Sequence, residues 1–188
     1  MLLPDERAAI DRLWARKLQQ VAQGLPQSER HRNLEPTSAE FIHALAVGLE
    51  AKRVLEIGGS SGISTIALAS AARLTGGRLV SIEREPVRQS EARQTILRLG
   101  LDKHVDFVLS DAAAVIPNET ALDLAFIDCE KEDYIPFFDT LCMRKGGIIV
   151  ADNIISHSLS GYVTHVRKRP GAESVTLTVG MGLEVTRV

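Results

Sequence analysis

Short apolar runs alternate with longer amphipathic segments along most of the chain. The runs that predict strands cover residues 53–57, 78–83, 104–110, 122–128 and 148–152. Segments with helical periodicity fill the intervals at 62–74, 86–100 and 134–147. This alternation indicates βαβ units, and runs that are apolar almost throughout indicate strands covered on both faces.

The last residues follow a different rhythm. Polar and apolar side chains alternate with period two over 173–179 and 183–188, with Gly180 and Gly182 between them. This pattern predicts an antiparallel hairpin at one edge of the sheet. Together the runs predict an α/β fold with a doubly wound, Rossmann-like sheet of seven strands, mostly parallel, with helices on both faces.

The 188 residues match the size of one domain, so we predict a single unit over residues 1–188. Residues 1–50 are interpreted as a helical extension and 51–188 as the ligand-binding core. An apolar face recurs at spacings of three and four in the first helix, through Ile10, Leu13, Trp14, Leu18 and Val21.

Charge and cysteine content disfavour several classes of protein. Lys and Arg total 22 against 24 Asp and Glu, which is not the basic excess of a nucleic-acid binder. The basic cluster at 165–171 is interpreted as a solvated loop rather than a phosphate-binding patch. The first segment turns charged within five residues, and no apolar run approaches the roughly 20 residues that span a bilayer. Two cysteines, Cys129 and Cys142, do not make a disulfide framework, so we expect a cytoplasmic protein. From the charge balance and the absence of a long apolar run, we expect no binding to nucleic acid or membrane.

A glycine-rich loop joins the first strand to its helix, and it reads Gly58-Gly59-Ser60-Ser61-Gly62. Ligands of open α/β sheets bind at such loops. The GxGxxG fingerprint of dinucleotide sites fails because Ser60 takes the place of the second glycine. Glu56, just before the loop, would repel a pyrophosphate and would suit a ligand with a positive charge.

Glu83 ends the second strand, where a carboxylate accepts ribose hydroxyls in nucleotide-binding α/β folds. Asp111, after the third strand, could meet an adenine, although Asp is also a common helix cap. A ribose, an adenine and a positive charge without a pyrophosphate describe S-adenosylmethionine. The alternative is an ordinary tight turn beside a surface carboxylate. An NAD-dependent oxidoreductase is disfavoured by the failed fingerprint and by Glu56.

Two strands end in oxygen-bearing side chains, Asp128 after the fourth and Asp152 and Asn153 after the fifth. These strands are neighbours in doubly wound order, so their ends should lie about 5 Å apart. Two adjacent carboxylates repel unless a cation separates them, and oxygen ligands favour Mg²⁺, with Mn²⁺ or Ca²⁺ as alternatives. Each feature also has a plainer interpretation: a helix cap at Asp128 and a loop turn at Asp152-Asn153.

Four motifs resemble those of the class I S-adenosylmethionine-dependent methyltransferases, and more narrowly the cation-dependent catechol and caffeoyl-CoA O-methyltransferases. They are VLEIGGSSGIST, FIDCEKEDY, GGIIVADN and TLTVGMGLEVTRV, and the resemblance runs from about residue 36 to the C-terminus. It implies O-methylation of a small hydroxylated acceptor, such as a vicinal diol or catechol, by a homodimer that requires a divalent metal.

By this resemblance Asp128, Asp152 and Asn153 would hold the metal, and Lys131 would be the general base. Asp128 would also contribute to catalysis and to the cofactor site. The other residues expected to contact the cofactor are Glu56, Gly58, Gly59, Ser60, Gly62, Ser64, Glu83 and Asp111.

Glu130 departs from the pattern, because catechol-type members carry an aromatic residue between the metal aspartate and the lysine. The identity of the acceptor is therefore left open. Two alternatives to the leading interpretation remain: a metal-independent methyltransferase for another acceptor, and a cofactor-binding scaffold without catalysis.

Overall fold

The structure, a computed structural model, describes residues 1–26 and 29–188, and within them seven α-helices flank one seven-stranded sheet. The helices are α1 (Pro4–Ala22), α2 (Pro36–Gly48), α3 (Ile63–Thr75), α4 (Pro86–Arg98), α5 (Ala112–Val115), α6 (Tyr134–Thr140) and α7 (Ser160–Lys168). The strands are β1 (Arg53–Ile57), β2 (Arg78–Glu83), β3 (Val105–Leu109), β4 (Leu122–Ile127), β5 (Met143–Ala151), β6 (Glu173–Leu177) and β7 (Leu183–Arg187).

The strand order is β3-β2-β1-β4-β5-β7-β6. Strands β1 to β5 pair in parallel, and β7 pairs antiparallel with both β5 and β6. The order reverses between β1 and β4, which is the switch point where open α/β sheets bind ligands. The predicted fold class is confirmed, including the adjacency of β4 and β5 and the hairpin at the edge.

Alternate side chains of the central strands enter two apolar layers. In β4, Leu124 and Phe126 pack against the layer that holds α1, α2 and α3, whereas Ala125 and Ile127 pack against the layer that holds α6 and α7. Both faces are therefore covered, which explains why the strand sequences are apolar without alternation.

The N-terminal helices pack on α3, and Ile10 and Ile42 belong to the same apolar layer as its buried face. The predicted stripe of α1 is only partly right. Ile10 is buried and Trp14 is half-buried, but Leu18 and Val21 are 49% and 45% exposed. The second half of α1 extends past the core, beside a cavity described below.

Two predicted elements were wrong. The helix expected over 134–147 ends at Thr140, and β5 begins at Met143 rather than at residue 148. The pairing of β4 with β5 shifts register between Leu122 and Leu124, so that residues 144–147 bulge out of the ladder around Gly146, whose φ is 77°. Gly146 and Gly147 therefore mark a bulge inside a strand, not the end of a helix.

The solvated loop predicted at 165–171 is also wrong for most of its length, because residues 165–168 are the last turn of α7. Tyr162 and Val166 are spaced by four and are buried, which gives the short helix its apolar side. Arg167 donates to the buried carboxylate of Glu184 at 3.0 Å.

No helix in the described residues is long and apolar enough to cross a membrane. Cys129 and Cys142 are both free thiols.

Candidate functional site

The loop after β1 brings its backbone against the end of β4. Gly58 has a φ of 93°, and a Cβ at this position would lie 2.2 Å from the carbonyl oxygen of Asp128. Only glycine satisfies both the left-handed conformation and the close approach. Gly62 caps α3, so the loop leads directly into the N-terminus of that helix.

The Glu83 carboxylate organises this loop from the end of β2. One oxygen accepts the Ser60 amide at 2.8 Å, and the other accepts the amides of Arg84 and Glu85 at 2.8 and 2.9 Å. Glu83 is buried, yet it lines an open cleft beside Gly58. We name this the glycine-loop cleft; its wall includes Ile57, Gly58, Ser60, Ile82, Glu83, Asp111 and Asp128.

Glu56 and Ser64 lie behind the loop. The Glu56 side chain is fully buried, and its Oε2 accepts hydrogen bonds from the hydroxyls of Thr65 and Ser81. Burial raises the pKa of this carboxyl group, whereas the hydrogen bonds from Ser81 and Thr65 oppose the shift. A Cβ at Gly59 would lie 2.9 Å from Oε2, so the carboxyl group supports the loop from beneath. Its contact with a ligand stays a prediction.

Asp111 fits both of the interpretations that its sequence position allowed. Its Oδ1 accepts the Ala113 amide at 2.8 Å and caps the short helix α5. The same exposed side chain borders the glycine-loop cleft. Its position therefore permits contact with a ligand, but the cap alone accounts for an aspartate there.

Asp128 and Asp152 follow neighbouring strands and converge. The Asp128 amide donates to the Ile57 carbonyl at 2.9 Å, and the Asp152 amide donates to the Ile127 carbonyl at 3.0 Å. Asn153 links the two side chains, because its Nδ2 donates to Asp128 Oδ1 at 2.8 Å and to Asp152 Oδ2 at 3.1 Å. The three oxygen-bearing side chains that were expected to act together thus lie close to one another at the carboxyl ends of β4 and β5.

This pair of carboxyl groups is electrostatically unfavourable. Burial raises the pKa of both groups, and the nearby Asp128 carboxylate raises the pKa of Asp152 further. The positive charge of Lys131 partly offsets the rise in the pKa of Asp128. Asp152 Oδ1 is buried and has no hydrogen-bond partner among the described residues. A cation at this point would offset both the repulsion and the desolvation.

Lys131 reaches the same point from the turn before α6. Its Nζ lies 3.4 Å from Asp128 Oδ1 and donates to the Tyr134 hydroxyl at 2.6 Å. That hydroxyl donates in turn to the Asp152 carbonyl at 3.2 Å. The amine is thereby fixed beside the carboxylates.

The donor set fits a hard divalent cation. In the described ranges no three His, Cys, Asp or Glu side chains surround a common point, so the third protein oxygen would have to come from Asn153. Asn153 adopts a left-handed φ of 64°, which asparagine tolerates better than most residues. Two carboxylates and one amide oxygen are ligands that Mg²⁺ and Mn²⁺ accept.

A second cavity, of about 380 Å³, lies on the other side of Asp128. Asp128, Lys131 and Asn153 line it on one side, and residues of α1 and residues 30–33 line it on the other. We name it the Lys17 cavity; its wall includes Lys17, Val21, Arg30, His31, Arg32, Asn33, Asp128, Lys131, Asn153 and His157. Asp128 and Cys129 border both cavities. A ligand in the glycine-loop cleft and one in the Lys17 cavity would therefore meet at the carboxylate pair.

Glu130 forms ion pairs with Arg32, which precedes α2, and with Arg84, which lines the glycine-loop cleft. Arg32 donates to both of its carboxylate oxygens, and Arg84 donates to one of them at 3.0 Å. The hydrogen bond from Arg32 lowers the pKa of Glu130 more than any other contact. An ion-paired carboxylate thus occupies the position where an aromatic residue was expected by resemblance.

Lys17 is one of the site residues that sequence reasoning missed, together with Arg30, Arg32 and Tyr134. Its amine donates to the Asn33 carbonyl at 2.7 Å and lies 4.7 Å from the centroid of the Trp14 ring. The signal was present, since Lys17 comes seven residues after Ile10 and three after Trp14 and so falls on the inward stripe of α1. A lysine on such a stripe indicates either a salt bridge or a polar cavity.

Known proteins share this architecture. The sequence model of the O-methyltransferase family matches residues 6–182. A catechol O-methyltransferase from Mycobacterium tuberculosis is 37% identical over 120 residues, which cover 62% of this chain and 54% of that protein. The chain therefore spans about half the length of this curated relative.

Two solved structures extend the similarity over nearly the whole chain. The cofactor-bound Rv0187 from MTB is 28% identical with a TM-score of 0.80, and the alignment covers 94% of this chain and 89% of that one. An O-methyltransferase from Bacillus cereus in complex with SAH is 25% identical with a TM-score of 0.77, covering 96% and 90%.

Proposed function

Because the chain belongs to the O-methyltransferase family, we propose that it transfers the methyl group of S-adenosylmethionine to a hydroxyl of a small acceptor, with a divalent cation at Asp128, Asp152 and Asn153. The observation that carries this proposal is the convergence of these three side chains beside Lys131, between two cavities. One cavity would hold the methyl donor and the other the acceptor.

The glycine-loop cleft suits the donor. Glu83 lines it with a carboxylate that can accept ribose hydroxyls, and Gly58 and Ser60 form the neighbouring part of its wall. The Bacillus cereus relative binds SAH, the product of methyl donation. Asp128 lines both this cleft and the Lys17 cavity, so the transferred methyl group would point toward the carboxylate pair.

Asp128 and Asp152 would each offer a carboxylate oxygen to the cation, and Asn153 would offer Oδ1 after its amide rotates. The unpartnered Asp152 Oδ1 is the oxygen best prepared for this role. A divalent cation there would lower the pKa of an acceptor hydroxyl and would orient a vicinal diol.

Lys131 is the group that would receive the proton. Its Nζ is held between Asp128 and the Tyr134 hydroxyl, next to the space an acceptor would fill. The neutral amine form of Lys131 would take the hydroxyl proton, and the acceptor oxygen would attack the methyl carbon while the carbon–sulfur bond breaks, with SAH as the leaving group. Much of the rate would come from holding the two reactants in line.

A metal-independent methyltransferase is the second candidate, because the carboxylates already have partners. Asn153 donates to both of them, and Lys131 forms an ion pair with Asp128. If these contacts persist in the working enzyme, Lys131 and Asn153 alone would orient the acceptor.

Methyl transfer from labelled S-adenosylmethionine to catechol separates the candidates. The proposal predicts product with Mg²⁺, none with excess EDTA, and recovery when Mg²⁺ is restored. Asp128→Asn should lose this activity, whereas Asp11→Asn, at an exposed position on α1, should keep it. Product formation that EDTA leaves unchanged would reject the cation and favour the second candidate.

A further inference from the structure

The wall of the Lys17 cavity is strongly cationic. Four of its side chains carry a positive charge: Lys17, Arg30, Arg32 and Lys131. Its two histidines add little charge near neutral pH, because burial lowers the pKa of both His31 and His157. Among the described residues of this wall, Asp128 is the one acidic side chain.

Two of the four cations have carboxylate partners. Arg32 pairs with Glu130, and Lys131 lies 3.4 Å from Asp128. Both side chains line the cavity and are 33% and 18% exposed. These charges are therefore already offset within the protein.

The other two cations contact neutral groups. The half-buried amine of Lys17 donates to the Asn33 carbonyl, and the Arg30 guanidinium donates to the Leu25 carbonyl. In the part of the chain that the structure describes, neither has a carboxylate within 4.0 Å. A partly desolvated charge without a counter-charge is costly, and an anionic ligand would supply the missing partner.

Lys17 is also close to the reacting groups. It lines the same cavity as Asp128 and Lys131. Burial lowers the pKa of the Lys17 amine, and the carboxylates of Asp128 and Asp152 oppose this shift without reversing it. A cavity of about 380 Å³ is at the small end of the usual range for small-molecule pockets. A single-ring molecule would fill it while reaching both Lys17 and the carboxylate pair.

We infer that the acceptor is a small hydroxylated carboxylate, whose anionic group binds Lys17 and Arg30 while its hydroxyls face Asp128 and Lys131. This inference rests on the proposed function, because it names the class of acceptor for the same site. It also gives the exposed second half of α1 a role, since that half forms one wall of the cavity and carries Lys17.

Two acceptors that differ only in charge test the inference: 3,4-dihydroxybenzoate and 3,4-dihydroxybenzamide. Both carry the same pair of ring hydroxyls, so a change in the ratio of their kcat/KM values between the wild type and a variant reports the contact made by the carboxylate. The wild-type protein should prefer the benzoate by about tenfold or more, as a charge-assisted hydrogen bond would give. Lys17→Met should lose most of this preference, whereas Lys103→Met, at an exposed position before β3, should keep it.

The outcomes separate this inference from the proposed function. Equal kcat/KM for both acceptors in the wild-type protein would overturn the inference and leave the methyltransferase function standing. A preference that survives in both Lys17→Met and Arg30→Met would overturn the assigned binding residues. Failure to methylate either compound while catechol is methylated would overturn the inference alone. Failure on all three acceptors with Mg²⁺ and S-adenosylmethionine present would overturn the proposed function as well.

Discussion

Replacing Asp152 with asparagine should make the metal-free protein more stable while it destroys the proposed cation site. Asp152 is 3% exposed, its Oδ1 has no partner among the described residues, and the adjacent Asp128 raises its pKa. Ionising it therefore costs free energy that the neutral amide does not. The asparagine oxygen can still accept the hydrogen bond from Asn153.

The size of the effect follows from the desolvation and from the repulsion by Asp128. Each unit by which folding raises the pKa of a carboxyl group costs about 1.4 kcal/mol of stability once that group is ionised. Allowing for relaxation of a coupled pair, we expect a gain of about 2 kcal/mol. For a protein of this length that gain corresponds to a rise in Tm of about 4–8 °C.

The gain should depend on pH. Because folding raises the pKa of Asp152, the wild-type penalty is absent below the unfolded pKa of about 4, grows as the pH rises, and is complete above the raised pKa. Thermal unfolding at about pH 5 and about pH 8.5 should therefore show the larger gain at the higher pH. Asp11→Asn, at an exposed carboxylate, is the control.

Saturating Mg²⁺ supplies a second comparison, because a ligand that binds only the folded state raises its stability. The wild-type Tm should rise on addition of the metal, and the Asp152→Asn Tm should not. A variant that is less stable than the wild type at about pH 8.5, or whose gain is the same at both pH values, would refute this reasoning.

Three further substitutions probe the separate parts of the site. Lys131→Met should lower kcat about 10²–10⁴-fold, the usual contribution of a general base, with little change in SAH affinity by calorimetry. Glu83→Gln should weaken SAH binding about tenfold or more, because it removes a charged acceptor for ribose hydroxyls. Gly58→Ala should lower the free energy of unfolding by about 2 kcal/mol or more in denaturant titrations, since its Cβ would lie 2.2 Å from the Asp128 carbonyl and φ is 93°.

Each of these substitutions has an outcome that contradicts its premise. Undiminished kcat in Lys131→Met would mean that another group takes the proton. Unchanged SAH affinity in Glu83→Gln would mean that this carboxylate does not bind the ligand and only supports the loop through its three backbone hydrogen bonds. Wild-type stability in Gly58→Ala, with Gly48→Ala on an open helical surface as the control, would mean that the loop can move away from β4.

The central sheet could be predicted from the sequence because burial on both faces leaves the strands apolar throughout. The proximity of Asp128 and Asp152 could also be predicted, because the order of parallel strands decides which strand ends are neighbours. These inferences use only local pattern and topology. The roles given to the site residues, the single-domain organisation, the homodimer, the absence of nucleic-acid and membrane partners and the cytoplasmic location stay predictions.

Features that depend on tertiary contacts could not be predicted in this way. The bulge near Gly146 lengthens β5 through its pairing with β4, and a glycine pair alone also fits the end of a helix. The position of Glu56 beneath the loop depends on the hydroxyls of Thr65 and Ser81, which come from other elements. Lys17 faces a cavity because residues 30–33, which are distant from it in the sequence, lie beside it.

A calorimetric titration of Mg²⁺ into protein saturated with SAH tests the cation site most directly. The account predicts saturable binding to the wild type and to Asp11→Asn, and its loss in Asp128→Asn. Equal Mg²⁺ binding in Asp128→Asn, or no Mg²⁺ binding by wild-type protein that does bind SAH, would contradict the claim that Asp128, Asp152 and Asn153 hold a divalent cation.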